Sequence, residues 1–125
     1  MIEGVVNADL EAVVALSVES PSGTKRNIVA VIDTGYNGLL TLPPAIVEEL
    51  ELPFQTTWRA TLSNGSEDVF DVHNATVRWD GHPLNIPIEA ADTDPLVGMA
   101  LLEGHNLNVD VHPAGQVRIE PIQAA

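Results

Sequence analysis

Apolar residues in this chain come in short runs broken by turn-forming clusters, a spacing that favours strands over long helices. Glu11 to Glu19 alternates in part and predicts a strand, followed by a turn at Pro21 to Thr24. Asn27 to Ile32 is a continuous apolar run, read as a strand buried on both faces, and it ends at Asp33-Thr34-Gly35. Gly35 and Gly38 bracket an irregular loop, and Leu39 to Leu42 resumes a strand. Pro43 and Pro44 open a short helix, since proline fits a first turn whose N–H groups lack intrahelical acceptors. Its apolar face is Ile46, Val47 and Leu50, with Glu48 and Glu49 toward water and Pro53 as the stop.

Two hairpins follow. Thr57 to Leu62 and Val69 to Val72 flank Ser63-Asn64-Gly65-Ser66, where Asn-Gly is a strong two-residue turn signal. A second turn at Asp80-Gly81 joins a strand at Ala75 to Trp79 with one at Leu84 to Ile88. Leu96-Val97-Gly98 closes another apolar segment, Met99 to Gly104 suits a helical turn or two, and strands at Leu107 to Val111 and Gln116 to Ile122 finish the chain. About eight short strands with one or two short helices predict an all-β closed barrel or sandwich.

Composition narrows the function. At 125 residues the chain has room for one domain, residues 1–125, with a real core. A formal charge of -13 makes nucleic acid and anionic membranes poor partners. The same charge opposes self-association at neutral pH and low salt. With no cysteine, disulfides and thiolate metal sites are excluded. Met1 to Val6 lacks the basic and apolar regions of a secretory signal, and no run approaches a membrane span, so a cytoplasmic location is expected.

The candidate chemistry is Asp33-Thr34-Gly35, where a buried strand turns into a loop. Two aspartates held close cannot both ionise; they share a proton and split into an acid and a base. The ionised carboxylate takes a proton from water, which attacks a peptide carbonyl, while the protonated one donates a hydrogen bond to the carbonyl oxygen as it gains charge. Thr34 offers a hydroxyl to tie two such loops together, and Gly35 lets the backbone N–H approach a carboxylate. As a bare tripeptide the motif is equally a plain turn.

Its surroundings add weight. The segment 31–43, VIDTGYNGLLTLP, resembles the active-site segment of the retropepsin-like (clan AA) aspartic proteases, and the helix after it resembles the longer members. The segment 95–111, PLVGMALLEGHNLNVDV, is similar to the family's hydrophobic-hydrophobic-Gly strand end, short helix and last core strand. Between them the Asn64-Gly65 hairpin lies where the family carries its flap. The resemblance implies a retropepsin-like closed barrel and catalysis by Asp33, Thr34 and Gly35. It also implies substrate contacts from Tyr36, Asn37, Gly38, Ser63, Asn64, Gly65, Ser66, Val97 and Gly98. One triplet per chain then requires a homodimer with a two-fold axis between two Asp33 residues. The family's interleaved termini make Met1 to Val6 and Val117 to Ile122 the implied interface.

Two positions depart from the family. Tyr36 stands where Ala or Ser is usual, either lining a pocket or packing on the barrel, and Ala100 replaces a frequent Asp. The histidines at 73, 82, 105 and 112 lack ligand spacing, so neither metal nor cofactor is expected. The stretch Glu89 to Asp94 reads as a solvated loop, and Trp58 and Trp79 as strand residues that pack, with substrate contact as the alternative. The sequence therefore points to an aspartic endopeptidase acting on peptides or unfolded protein. The alternative is a non-catalytic peptide-binding module on the same fold.

Overall fold

A computed structural model describes residues 1–61 and 64–123. Ten strands and two short helices follow in the order β1 (Ile2–Val6), β2 (Ala12–Glu19), β3 (Lys25–Ile32), β4 (Leu40–Leu42), α1 (Pro44–Glu49), β5 (Phe54–Thr61), β6 (Glu67–Trp79), β7 (His82–Ala90), β8 (Leu96–Val97), α2 (Met99–Leu102), β9 (His105–Val109) and β10 (Gln116–Pro121). Neighbouring strands run β5-β6-β7-β4-β8-β3-β2-β1-β10-β9, and an extra pairing of β6 with β2 closes the stretch from β6 to β2 into a six-stranded barrel. Closure removes edges that would otherwise offer unpaired backbone groups.

The barrel is filled by the period-2 face of each strand. On β2 these are Val14, Leu16 and Val18; on β6 Ala75, Val77 and Trp79; on β7 Ile86 and Ile88. α1 plugs one end with Ile46 and Val47, and Leu50 and Leu52 follow it into the core. The expected apolar face of that helix and its water-facing glutamates are both present.

Several details differ from expectation. β3 starts earlier, at Lys25, and is not buried on both faces: Ile28 and Ala30 point inward while Val29 is 63% exposed. Strands expected at 69–72 and 75–79 are one strand, because His73 and Asn74 do not interrupt the ladder. There β6 passes from its pairing with β5 to its pairing with β7 and β2. At the Asn64-Gly65 hairpin the last ladder pair among the described residues is Thr61 with Glu67, and residues 62 and 63 lie outside them. The Asp80-Gly81 turn is the tight kind, with Trp79 opposite His82 and φ of 52° and 78° at its two central residues. α2 ends at Leu102, and Gly104, at φ 81°, releases the chain into β9 two residues before the expected start.

The termini differ most. β1 lies between β2 and β10, and β10 between β1 and β9, all antiparallel and all within one chain. Within the segments expected to interleave with a second copy, Gly4 and Val5 of β1 and Val117 to Ile119 of β10 already have strand partners on both sides. Gly4 makes this possible, since a Cβ there would fall on the Val13 carbonyl oxygen.

Ile88 is fully buried at the barrel centre, so Ile88→Ala should lower stability by about 2–5 kcal/mol in a urea titration.

Candidate active site

β8 is only two residues long, yet it organises the site. Leu96 and Val97 pair in parallel with Val31 and Ile32 of β3, and on the other side they pair antiparallel with Thr41 and Leu40 of β4. The chain between those two strands, 33–39, is therefore looped out over the end of β8. Asp33 N donates to the Val97 carbonyl at 2.9 Å, Gly98 N to Leu39 O at 3.0 Å, Met99 N to Tyr36 O at 2.8 Å and Ala100 N to Gly38 O at 3.1 Å. The loop is thus stitched by its backbone to the start of α2.

Glycine is required at the crossing. A Cβ at Gly98 would fall on the Gly38 carbonyl oxygen and against the Tyr36 ring, and one at Gly38 would meet the Tyr36 phenol. The loop and the helix start can approach this closely only because both residues lack side chains.

Asp33 is half-buried, with Thr34 and Gly35 exposed beside it. Gly35 N donates to Asp33 Oδ1 at 2.9 Å, so the backbone holds one carboxylate oxygen. The Thr34 side chain has no hydrogen-bond partner among the described residues and is exposed.

Tyr36 is half-buried, and its Oη is shielded from water. The Thr41 hydroxyl and the Glu89 carboxylate both act on the phenol, but neither stands at hydrogen-bond geometry. Burial pushes the Tyr36 pKa up to about 12, the Thr41 hydroxyl opposes the rise, and the Glu89 charge adds to it.

Over this loop stands the β5–β6 hairpin. Every residue of β5 is exposed, as is the start of β6. Gly65, at φ 83°, turns the tip, and Asn64 Oδ1 accepts from Ser66 N at 2.9 Å and Ser66 Oγ at 2.6 Å. Trp58 faces Phe70 across the ladder and remains 43% exposed. Between hairpin and loop lies a cleft of about 600 Å³, bounded by Gly35, Tyr36, Trp58, Phe70 and Glu89 among others. A hollow of about 260 Å³ adjoins it, again against Tyr36, Trp58 and Glu89.

The expected site residues separate into groups. Asp33, Thr34, Gly35, Tyr36, Asn37 and Gly38 lie together on the loop, the last four bordering the cleft. Val97 and Gly98 are buried beneath it; they hold the loop instead of facing the cleft, because Val97 is sealed between β3 and β4. Asn64, Gly65 and Ser66 are exposed at the hairpin tip, and Ser63 lies outside the described residues. Tyr36 does both things its position allowed, packing on two glycines and bordering the cleft. Trp79 packs in the core at 4% exposure, whereas Trp58 faces the cleft. Phe70 and Glu89 also border it, and sequence reasoning missed both. The available signal was the alternation of β7, which turns Glu89 away from the core face of Ile86 and Ile88.

No protein-family profile and no curated protein matches this chain. Among solved structures it is similar to a retropepsin-like aspartic protease from Rickettsia conorii, with a TM-score of 0.57 and 14% identity over 98% of this chain and 92% of that one. The simian foamy virus (mac) protease is a second match, with a TM-score of 0.49 and 22% identity over 70% of this chain and 90% of that one. The fold is retropepsin-like.

Gly98→Ala should displace the 36–38 loop from α2, costing about 1–3 kcal/mol in urea unfolding and speeding hydrogen exchange at the Met99 and Ala100 amides. Tyr36 is the one tyrosine of the sequence, so its ionisation can be followed by ultraviolet absorbance. The midpoint should lie near 12 while circular dichroism reports a folded chain. Because the folded-state pKa is raised, the stabilising contribution is complete below pH 10 and is lost as pH climbs toward 12.

Proposed function

We propose that this protein is an aspartic endopeptidase of retropepsin type, active as a homodimer in which Asp33 of each copy contributes one carboxylate. The observation that carries this reading is the placement of Asp33. It stands at the end of β3 on a loop fixed by backbone bonds, its carboxylate oriented by the Gly35 N–H, and Gly35 borders the cleft that the loop shares with a hairpin carrying uncovered aromatic side chains. The retropepsin-like fold supports the same reading.

In this scheme the ionised Asp33 accepts a proton from a bound water, and the water oxygen attacks the scissile carbonyl. The Asp33 that holds the shared proton donates to the carbonyl oxygen and later supplies a proton to the leaving amine. An extended peptide would lie in the cleft, with the β5–β6 hairpin closing over it and excluding water.

The middles of β1 and β10 are paired on both sides within one chain, which favours a seam elsewhere. β9 has a neighbour on one side alone among the described residues and follows directly from α2, whose start is bonded to the catalytic loop. Pairing of two β9 edges about a two-fold axis would hold both loops relative to that axis. The exposed Asn106 and Asn108 would then lie along the seam.

The -13 charge favours a second state, a monomer that holds peptide without cutting it, wherever repulsion outweighs the seam.

Sedimentation should therefore show more dimer at mildly acid pH or raised salt than at neutral pH and low salt. Cleavage of a denatured protein should follow the dimer fraction, and Asp33→Ala should reduce it at least ~10³-fold. Asn106→Asp combined with Asn108→Asp should shift the protein to monomer and remove activity without lowering monomer stability. A stable wild-type dimer that leaves substrate intact from mildly acid to neutral pH would make the peptide-holding reading the correct one.

A further inference from the structure

The two hollows beside the catalytic loop share a pair of side chains of complementary use. Trp58 presents an indole from the hairpin, and Glu89 presents a carboxylate from β7. Glu89 is half-buried and is opposite Thr41 in the β4–β7 ladder. It therefore stands on the cleft floor, beside the Tyr36 phenol.

Among the described residues the carboxylate has no cation of its own. Arg59 also borders the larger cleft, but its guanidinium is mostly exposed and leans to Glu67 at 3.6 Å. The remaining ion pairs among the described residues, Met1 with Asp80, Arg26 with Glu49 and Arg118 with Asp110, do not involve Glu89. Nor does Tyr36 neutralise it, because the phenol is a neutral neighbour whose own charge is disfavoured there.

Trp58 and Phe70 supply the other wall. An indole face beside an unpaired carboxylate fits an alkyl stem ending in a cation: the stem packs on the ring, the head lies over its negative face and reaches the carboxylate. A leucine or phenylalanine side chain would fill the same hollow but leave Glu89 desolvated and unpaired. Asn37 and the Gly35 and Gly38 backbone on the far side add polar surface without positive charge. At longer range the -13 field draws a cationic peptide toward the protein.

We infer that Glu89 and Trp58 form a side-chain subsite for lysine or arginine, so that the peptides this cleft accepts carry a basic residue close to Asp33. The inference rests on the cleft being a peptide site, as argued above, and names the class of peptide.

The test is digestion of a denatured mixed proteome at the pH of greatest activity, with cut sites read by mass spectrometry. Wild type should show Lys or Arg enriched about tenfold at one position within about four residues of the cut. Glu89→Gln should lose the enrichment, and Glu89→Lys should replace it with Asp and Glu. Cuts with no basic preference, or a preference that survives both substitutions, overturn the subsite and leave the protease reading standing. If wild type makes no cuts, the protease reading fails and binding decides the subsite. A lysine-containing peptide should then bind about tenfold more tightly than its norleucine counterpart, with the difference absent in Glu89→Gln. Equal affinities overturn the subsite.

Discussion

The site depends on one crossing: two residues of β8 bonded to β3 on one side and β4 on the other, with Gly98 directly after them. Backbone hydrogen bonds at that point fix where Asp33 leaves its strand, and those from the start of α2 fix the loop that follows. None of these bonds involves a side chain that could choose another rotamer. Side-chain identity enters as an exclusion, since Gly38 and Gly98 have to be empty for loop and helix to meet. The Asp33 carboxylate joins the crossing through one bond, accepted from Gly35 N.

Tyr36 shows how a single bulky residue is fitted to such a crossing. Its ring occupies the space the two glycines leave, which buries the hydroxyl against Thr41 and Glu89. The same ring then forms a wall of the cleft. Packing and site geometry are thus determined by the same atoms, so a change to the loop's support is also a change to what the cleft can hold.

Much of the fold was legible in local signals. The Pro43-Pro44 start, the Ile46, Val47 and Leu50 face and the Asp80-Gly81 turn follow from proline geometry, helical periodicity and positive φ, all of them short-range effects. The loop 33–38 was legible because Asp-Thr-Gly recurs with the hydrophobic-Gly segment at 96–98. What was not legible depends on distant pairing. The inward set of β3 reads as a continuous apolar run because Val29 is apolar yet faces out. The two-sided pairing at the middles of β1 and β10 leaves no mark in either segment alone, apart from Gly4, whose role appears only once Val13 lies against it. Glu89 read as the edge of an acidic loop, since nothing local says that β7 carries it beside Tyr36.

β6 is one unbroken strand from the projecting hairpin into the barrel wall. Its far half is seated by Val72, Ala75, Val77 and Trp79, and its midpoint is tied by Asn74 N to Pro53 O at 3.0 Å and His73 Nδ1 to Leu52 O at 2.9 Å. In mechanical terms the hairpin is a cantilever, built in at 72–75 and free at 64–66. Along β6 such a beam has no break, while β5 shifts register once at the root, between Phe54 and Thr56, so the resistance to bending is set there. Load applied at the tip arrives as torque on Val72 and Ala75, in the packed wall of the barrel. The residues that govern how the hairpin moves are therefore core residues, many positions from the part that travels.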